Sequence, residues 1–272
     1  MTPPPPGNYG WGLPVAASTF AREIDSSLRI VHWAMGLIFV LWAVFFTYCL
    51  IRYRSRPGRA AAYPSHSKKK TFASFVPDAL VLAFEIWLIF IFGLPIWAHV
   101  KEVFPAPADS THVQIIAQQF AWNIHYPGPD GKFGRTDPTL VDSTNPIGLD
   151  PKDPASADDL VVVNDLHIPL GKPVLIDLTS LDVIHSFFIP EFRIKQDVVP
   201  GMKIPIWVEP TMTGLFEIGC AQLCGVGHYR MRGDVHVESP KEFQAWYNGW
   251  KQVQEETKAQ AAKAAQASTP WE

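Results

Sequence analysis

Residues 28–51, LRIVHWAMGLIFVLWAVFFTYCLI, form an apolar run whose one full charge is Arg29 near its outer edge. A second run, residues 74–98, is as long and contains two acids, one of which is Glu85 deep within it. A helix of about 20 apolar residues crosses the roughly 30 Å of hydrocarbon in a bilayer. The sequence therefore predicts a hairpin of two transmembrane helices, at about 28–51 and 74–98.

The segment that joins these runs, residues 52–73, is strongly basic. Its positive charges occur with no acid among them: Arg52, Arg54, Arg56, Arg59, Lys68, Lys69 and Lys70. Short basic loops stay on the cytoplasmic side of a membrane. We therefore expect residues 1–27 and everything after residue 100 to lie on the opposite, exterior side. The first apolar run starts too late and is too long for an ordinary signal peptide, so no cleavage is predicted.

Acidic side chains are concentrated in the exterior part of the chain. Residues 99–239 hold ten Lys and Arg against eighteen Asp and Glu, a net charge of −8, whereas the whole chain has a net charge of −3. Such a surface steers a basic partner toward itself at low ionic strength. The alternative, a surface that is charged only for solubility, stays open at this point.

The exterior region, residues 101–239, consists of short β-rich segments separated by turn residues. Several of them alternate apolar and polar residues, which is typical of strands in a sandwich. They predict an all-β, antiparallel Greek-key sandwich or barrel. Residues 127–159 are dense in Pro, Gly and Asp and predict a long surface loop. Ser239, with Glu242 three positions later, forms a capping-box pattern that predicts a C-terminal helix within residues 240–272.

The stretch CAQLCGVGHYRM brings sulfur and imidazole ligands together. Cys220, Cys224 and His228 are spaced four apart, and Met231 follows three residues later. Zinc gains little from a thioether, whereas copper accepts one. One thiolate would suit a mononuclear copper site, and two thiolates allow each sulfur to bridge two copper ions. A Cys220–Cys224 disulfide is the alternative, because the exterior is oxidising, but it leaves the histidine and the methionine unexplained.

A dinuclear site needs a second histidine from elsewhere in the chain. His185, in DVIHSFFIP, follows a strand-like segment and lies in an apolar stretch where an unpaired imidazole is costly. It is the predicted distant ligand. No site role is predicted for the remaining exterior histidines: His112, His125, His167 and His236.

With these motifs the chain resembles subunit II of the haem-copper cytochrome c oxidases over about residues 20–240. The family pairs a membrane hairpin with a cupredoxin domain that carries a dinuclear copper A centre. Its cysteine, histidine and methionine pattern matches CAQLCGVGHYRM, and its other histidine matches DVIHSFFIPEFRIKQDVVPGM. The resemblance implies that Cys220 and Cys224 bridge the coppers, that His185 and His228 each bind one, and that Met231 is a weak ligand.

The backbone carbonyl of residue 222 is the remaining ligand that the resemblance implies. Most of the family has a glutamate there, and this chain has Gln222. A carbonyl ligand survives that change. The glutamate carboxylate also helps to hold a magnesium ion at the interface with subunit I, so Gln222 weighs against a magnesium site in this chain.

Four further positions depart from the family pattern or bear on its partners. Electrons enter the family through the first of two tryptophans that flank an aromatic residue, and this chain offers Phe120 and Trp122 instead. Ordinary strand aromatics are the alternative interpretation of both. Asp182 matches an acid of the family's docking patch for cytochrome c, whereas His125 replaces another of those acids.

The proton path implied by the family also differs here. Many relatives have a glutamate before the second helix, at the mouth of a path into subunit I, and Lys70 stands in that place. Glu85 lies deeper, and an acid within the membrane is a functional candidate by default. It either serves protons or bonds to subunit I, and we favour the second role.

The resemblance thus implies a subunit of a proton-translocating oxidoreductase in a bacterial plasma membrane, with its cupredoxin domain on the periplasmic side. It would accept electrons from a c-type cytochrome and pass them to haem in subunit I for oxygen reduction. Its expected partners are the other oxidase subunits, a donor that is free or part of a supercomplex, and membrane lipid, with no nucleic acid. A copper-A nitric oxide reductase subunit and a membrane-anchored copper chaperone or sensor are the alternatives.

Overall fold

The computed structural model describes residues 12–58, 60 and 68–267. These residues fall into two units, one formed by Arg22–Glu102 and the other by the residues up to Ala21 together with those from Val103 onward. Residues 1–11 of the predicted N-terminal segment, Arg59 and residues 61–67 of the basic loop, and residues 268–272 of the tail lie outside the described residues.

The first unit is helical. Its elements are α1 (Ala21–Tyr53), α2 (Lys68–Ser74), α3 (Val76–Leu88), a π-helical turn (Ile89–Gly93) and α4 (Leu94–Lys101). The π-helical turn ends two residues before Pro95, which has no N–H to donate to the helical ladder. Two stretches, Ala21–Tyr53 and Thr71–Lys101, are long and apolar enough to cross a membrane, and their most apolar windows are not buried in the structure. The prediction of two long apolar helices is confirmed.

The second unit contains two five-stranded sheets. Its strands are β1 (Thr111–Gln118), β2 (Ala121–Tyr126), β3 (Leu160–Val163), β4 (Asp165–Pro169), β5 (Val174–Ser180), β6 (His185–Ile189), β7 (Ile194–Val198), β8 (Ile204–Val208), β9 (Gly214–Cys220) and β10 (Arg232–Glu238). One sheet has the order β3-β2-β1-β5-β8 and the other β4-β10-β9-β6-β7. The predicted all-β sandwich is confirmed.

The sandwich is not purely antiparallel, and that part of the prediction is wrong. β1 pairs with β5 in parallel, and β10 pairs with β4 in parallel. Parallel neighbours cannot be joined by a tight hairpin and need a long crossover. Both pairs meet this condition, because three strands separate β1 from β5 in sequence and five separate β4 from β10. Local turn signals cannot reveal such long-range pairing.

The core lies between the two sheets and follows the alternation of the strands. Along β5 the side chains are alternately buried and partly exposed, as expected when one face of a sheet is covered. Trp122 and Tyr126 of β2 and Phe187 of β6 are among the largest fully buried side chains. Trp122 and Phe187 meet edge-on across the sandwich, with ring centroids 5.6 Å apart.

The segment before α1 belongs to this β unit. Ala17 donates its backbone N–H to the carbonyl of Glu191, and the ring of Phe20 meets Trp207 edge-on at 5.5 Å. Ala17 and Phe20 are fully buried. The sequence predicted only that this segment is exterior, and the structure adds that it packs against the sandwich.

The predicted long loop, residues 127–159, is held by its own acids. Asp159, fully buried, accepts hydrogen bonds from the backbone N–H groups of Gly128 and Gly134 and lies 2.6 Å from His125 Nε2. The buried Asp159 therefore holds the loop from its inner side, although much of the loop is exposed.

The predicted capping box is confirmed at the start of α5 (Pro240–Ala267). Ser239 N donates to Glu242 Oε2 over 3.0 Å, while Glu242 N donates to Ser239 Oγ over 3.3 Å. These bonds satisfy amides that the first helical turn cannot pair.

Candidate metal centre

The cysteine motif lies in the connection between β9 and β10. Cys220 ends β9, Cys224 lies in the loop, His228 begins a short 3₁₀ turn that ends at Arg230, and Met231 directly precedes β10. Gly225 has φ +138°, a conformation that side-chain-bearing residues rarely adopt, so the loop turns back at this glycine. The loop thereby returns the four predicted ligands toward one end of the sandwich.

The sulfur atoms of this connection lie close together. Cys224 Sγ is 3.8 Å from Cys220 Sγ, 3.7 Å from His228 Nδ1 and 3.7 Å from Met231 Sδ. A disulfide bond would bring the two cysteine sulfurs to about 2.05 Å. Both cysteines are therefore free thiols in the structure. The structure brings all four side chains of the predicted motif into one cluster around Cys224.

His185 approaches the same cluster from β6. Phe187 of β6 pairs with Cys220 of β9, and side chains two residues apart along a strand share a face. His185 therefore lies on the face that carries Cys220. Ligand atoms of His185, Cys220 and Cys224 all lie within 4.8 Å of one another. The sequence prediction that a distant histidine completes the group agrees with this geometry.

The two ring nitrogens of His185 are in different situations. Nε2 lies 2.9 Å from Asp182 Oδ1, whereas Nδ1 is buried with no hydrogen-bond partner among the described residues. The ring as a whole is fully buried. A buried polar atom without a partner carries a desolvation cost, which a metal ion at that nitrogen would remove.

Asp182 holds this histidine and the neighbouring backbone. Besides His185, its carboxylate accepts hydrogen bonds from the backbone N–H groups of Gln119 and Val183, each over 2.7 Å. Partial burial raises the pKa of Asp182, but the hydrogen bonds from His185 and the two amides outweigh it, so the pKa lies below its ordinary value. Sequence reasoning identified Asp182 as a docking acid and missed this positioning role, which its place three residues before His185 could have indicated.

Gln222 contributes to the cluster through its backbone. Its carbonyl oxygen is 3.1 Å from Cys220 Sγ, and its side chain is exposed. Burial and, to a lesser extent, the neighbouring Cys220 together raise the pKa of the Cys224 thiol to about 11. The Cys224 thiol is therefore protonated near neutral pH without a cation, and a bound metal would have to displace its proton.

The donor set fits copper better than the other common metals. Two thiols, two imidazoles and a thioether are soft and borderline ligands, and a thioether favours copper over zinc. Cys224 and Met231 are buried, so the centre of the cluster is shielded from water. The most direct indication of a metal ion at this point is the buried Nδ1 of His185, which has no hydrogen-bond partner among the described residues.

Trp122 and Phe120, which both lie beside the cluster, differ in how deeply they are buried. Trp122 is fully buried, and its ring meets His185 at 6.1 Å and Phe187 at 5.6 Å. Phe120 is partly exposed. Of the two aromatic residues predicted for electron uptake, Phe120 alone reaches the surface, and Trp122 is a core residue in contact with a predicted ligand.

The ring of Phe120 lies directly on the cysteine loop. A Cβ atom at Gly227 would come within 2.4 Å of the ring, and one at Gly225 within 3.1 Å. Glycine at these positions lets backbone and ring approach more closely than any side chain would allow. Gln119 adds a hydrogen bond from Nε2 to the carbonyl of Cys224, at 2.6 Å. The β1–β2 turn is thus packed as a cover over the loop.

An apolar rim, which the sequence analysis did not single out, surrounds this cover. It consists of exposed side chains on the cysteine loop and on the loop before β6: Val183, Ile184, Leu223, Val226 and Tyr229. Exposed apolar residues that cluster on one surface typically mark an interaction site. The sequence signal that could have indicated this rim is the occurrence of its apolar residues within turn segments.

The remaining predicted residues belong to other elements of the chain. Glu85 is exposed in α3, between apolar residues. The side chain of Lys70, in α2, lies outside the described residues. His125 is fully buried beneath the 127–159 loop, so it is not a surface position where a docking acid has been replaced.

Comparison with known proteins identifies the family. Residues 112–238 match the family model for the periplasmic domain of cytochrome c oxidase subunit II. The alternative cytochrome c oxidase subunit 2 of Bradyrhizobium diazoefficiens is 40% identical over 237 residues, which are 87% of this chain and 82% of that protein. The chain belongs to the cytochrome c oxidase subunit II family. Cytochrome c oxidase subunit 2 of Cereibacter sphaeroides is 28% identical over 266 residues, 89% of this chain and 80% of that one.

Among solved structures, the periplasmic domain of cytochrome oxidase subunit II from Bradyrhizobium japonicum is 27% identical, with a TM-score of 0.41 over 56% of this chain and 99% of that one. Family membership makes this chain a subunit of a haem-copper oxidoreductase. Its β sandwich is the family's cupredoxin-like periplasmic domain, and the two apolar helices anchor it to the membrane.

Proposed function

We propose that this subunit II holds a dinuclear copper A centre and accepts electrons one at a time from a c-type cytochrome. Cys220 and Cys224 would bridge the two metals, and His185 and His228 would each bind one. Met231 and the carbonyl of Gln222 would be the weak outer ligands. Bound there, the copper pair supplies reversible one-electron chemistry, and the electron passes on to haem in subunit I.

The observation that carries this proposal is the convergence on Cys224. Ligand atoms from β6, from the end of β9 and from the loop after it meet in one place, and the buried Nδ1 of His185 has no other partner there. A disulfide would use only the two cysteines, and a zinc site would leave Met231 without a role.

The surrounding residues keep the ligands still, which is what electron transfer requires of a protein. Asp182 fixes the ring of His185, while Gln119 and Phe120 hold the loop on both sides of Gly225. Met231 and Trp122 exclude water from the inner side. Little can rearrange between oxidation states, so a small reorganisation energy is expected and transfer is fast.

The apolar rim and the acidic charge of the domain support a partner surface around Phe120. Val226 and Tyr229 are more than four-fifths exposed, and apolar area of this kind is normally covered in an assembly. We propose that a c-type cytochrome docks here, with Phe120 nearest to it and Asp182 at the edge. The donor is either a free protein or a member of a respiratory supercomplex.

The membrane anchor belongs to the same proposal. The hairpin would comprise residues 28–100, with the basic loop in the cytoplasm and residues 1–27 and 101–272 outside. A carboxyl group in hydrocarbon requires a partner, so Glu85 of α3 would bond to subunit I. Gln222 has no carboxylate to offer, and we propose no magnesium ligand from this position.

Metal analysis of the oxidase purified from native membranes tests the proposal. We expect two copper ions in each copy of this subunit, in addition to any copper held by subunit I. Cys224→Ser should reduce that number to one or none, since a hydroxyl is a poor bridge for a soft metal. Cys49→Ser, which changes a cysteine of α1, is the matched control and should keep both ions. Unchanged copper in Cys224→Ser would remove this loop from the centre.

A further inference from the structure

A second group of potential metal ligands lies on β4 and β10, in the same sheet as β6 and β9. The parallel pairing of β4 with β10 places His167 opposite His236 and Asp165 opposite Asp234. Residues two apart along a strand point to the same face, so Asp165, His167 and His236 share one side of the sheet. The sequence analysis assigned no role to either histidine.

One carboxylate oxygen faces both imidazoles. Asp165 Oδ1 lies 3.0 Å from His236 Nε2 and 3.3 Å from His167 Nε2. All three ligand atoms are within 4.8 Å of one another. Ligands that are about 2 Å from a tetrahedral zinc ion are themselves about 3.3 Å apart, so the distances from Asp165 Oδ1 to the two imidazole nitrogens already suit such an ion.

The ring of His167 is fixed by its surroundings. It stacks on His236 with centroids 4.3 Å apart and on Trp246 of α5 with centroids 3.9 Å apart, and both pairs of rings are within 8° of parallel. A metal ion binds an imidazole nitrogen close to the ring plane, so the partly exposed ring of His236 has to rotate out of this stack to share an ion with His167, which stays stacked on Trp246. Tyr126 Oη, buried below, donates to the carbonyl of His167 over 2.9 Å and holds the backbone.

The second nitrogen of His167 faces another acid. Its Nδ1 is 3.2 Å from Oε2 of Glu238, although the contact lacks the alignment of a hydrogen bond, so both buried atoms are without a hydrogen-bond partner among the described residues. A carboxylate behind a histidine is the usual arrangement at metal sites, where it fixes the ring and makes the coordinating nitrogen more basic. Glu238 and His167 are almost fully buried, which makes an unbound ionisable pair costly.

We propose that Asp165, His167 and His236 bind a divalent cation of the zinc class, separately from the cysteine cluster. Two imidazole nitrogens and one carboxylate oxygen suit Zn²⁺, and the absence of sulfur from this group disfavours Cu⁺. Asp165 is more than one-third exposed, so a water molecule can occupy the fourth position from the open side. The ion joins the edge strand β4 to β10, and through the ring stack to α5.

The site is tested on the intact copper-loaded oxidase by equilibrium dialysis against Zn²⁺, followed by metal analysis. Wild type should bind one more tightly held zinc than Asp165→Asn or His236→Gln, both of which alter partly exposed side chains. His112→Gln, on β1 of the opposite sheet, is the matched control and should bind as wild type does. X-ray absorption at the zinc edge should report two imidazole nitrogens. Equal zinc in all four proteins would overturn the proposal.

Two further variants distinguish zinc bound at this site from zinc bound at the cysteine cluster. Glu238→Gln should weaken zinc binding about 10- to 100-fold while leaving the copper content unchanged, as expected for a group that supports a ligand. Cys220→Ser with Cys224→Ser should keep the zinc difference between wild type and Asp165→Asn. Loss of that difference in the double cysteine variant would assign the extra zinc to the cysteine cluster and refute the site on β4 and β10.

Discussion

At the scale of single residues, Met231 differs from the other candidate ligands. It is a thioether, and its sulfur lies 3.7 Å from Cys224 Sγ in a buried position. Weak axial ligands of this kind tune a copper centre more than they retain it. For the proposed copper centre, the role of Met231 should therefore appear in the reduction potential and not in the metal count.

We expect Met231→Leu to keep both coppers and to raise the reduction potential by on the order of 50 mV, roughly a tenfold change in a one-electron equilibrium. Removing an electron-donating sulfur disfavours the oxidised state, while the leucine fills nearly the same volume. Redox titration of the copper absorption measures the change. Met202→Leu alters an exposed methionine and should leave the potential as it is. A potential that does not change in Met231→Leu would exclude this sulfur as a ligand.

The residue scale is also where sequence reasoning succeeded most clearly. Spacing alone predicted the meeting of Cys220, Cys224 and His228, because a short loop cannot separate them far. His185 was found because an imidazole in an apolar stretch needs a partner. The contact of His185 with Asp182 was not predicted, although it joins residues only three apart. The burial of Trp122 was not predicted either, since it depends on how β2 and β6 face each other across the sandwich.

At the scale of elements, the contact between the β1–β2 turn and the cysteine loop determines how firmly the ligands are held. The loop has glycine at the positions that face the ring of Phe120. At Gly227 the space between the backbone and this ring is too small for a methyl group. At Gly219, near the end of β9, a Cβ atom would have open space around it. The two glycines thus form a matched pair, Gly219 directly before Cys220 and Gly227 directly before His228.

Gly227→Ala should force Phe120 away from the loop, which costs about 1–3 kcal/mol as an overpacked contact, and should speed the loss of copper to a chelator. Gly219→Ala should retain copper as wild type does. Time courses of copper release from the purified oxidase measure both variants. Adding Phe120→Leu to Gly227→Ala should slow the release again, because the smaller side chain makes room. Equal release rates in all of these proteins would mean that the cover does not hold the loop.

Elements that depend on long-range pairing were less accessible from the sequence. The capping pattern at Ser239 and Glu242 correctly predicted where α5 begins, because its bonds are local. The parallel pairing of β4 with β10 and the docking of the 12–21 segment on the sandwich join parts of the chain that are far apart. Composition and periodicity contain no signal for such contacts.

At the scale of the whole molecule, charge separates the parts of the chain. The region from residue 99 to residue 239 has a net charge of −8 within a chain of net charge −3. Fields of this kind accelerate the arrival of an oppositely charged partner, and salt screens them within about 8 Å at physiological ionic strength. A basic cytochrome should therefore be captured faster at low salt.

We expect the association rate of a basic c-type cytochrome with the oxidase to fall at least tenfold between low and physiological ionic strength, while the maximal turnover stays nearly constant. Stopped-flow oxidation of the reduced cytochrome over a salt series measures this. An acidic cytochrome of similar size is the control and should show the opposite trend. Indifference to salt would contradict docking of a free donor and would favour a donor tethered within a supercomplex.

The central claim, that Cys220 and Cys224 bridge two copper ions, is tested most directly by electron paramagnetic resonance of the partly oxidised full-length protein. Two bridging thiolates share one unpaired electron between two copper nuclei of spin 3/2, so we expect a seven-line hyperfine pattern. His185→Ala should lose that pattern, whereas His112→Gln should keep it. A four-line spectrum from the wild-type protein, with one copper per chain at this site, would contradict the dinuclear assignment.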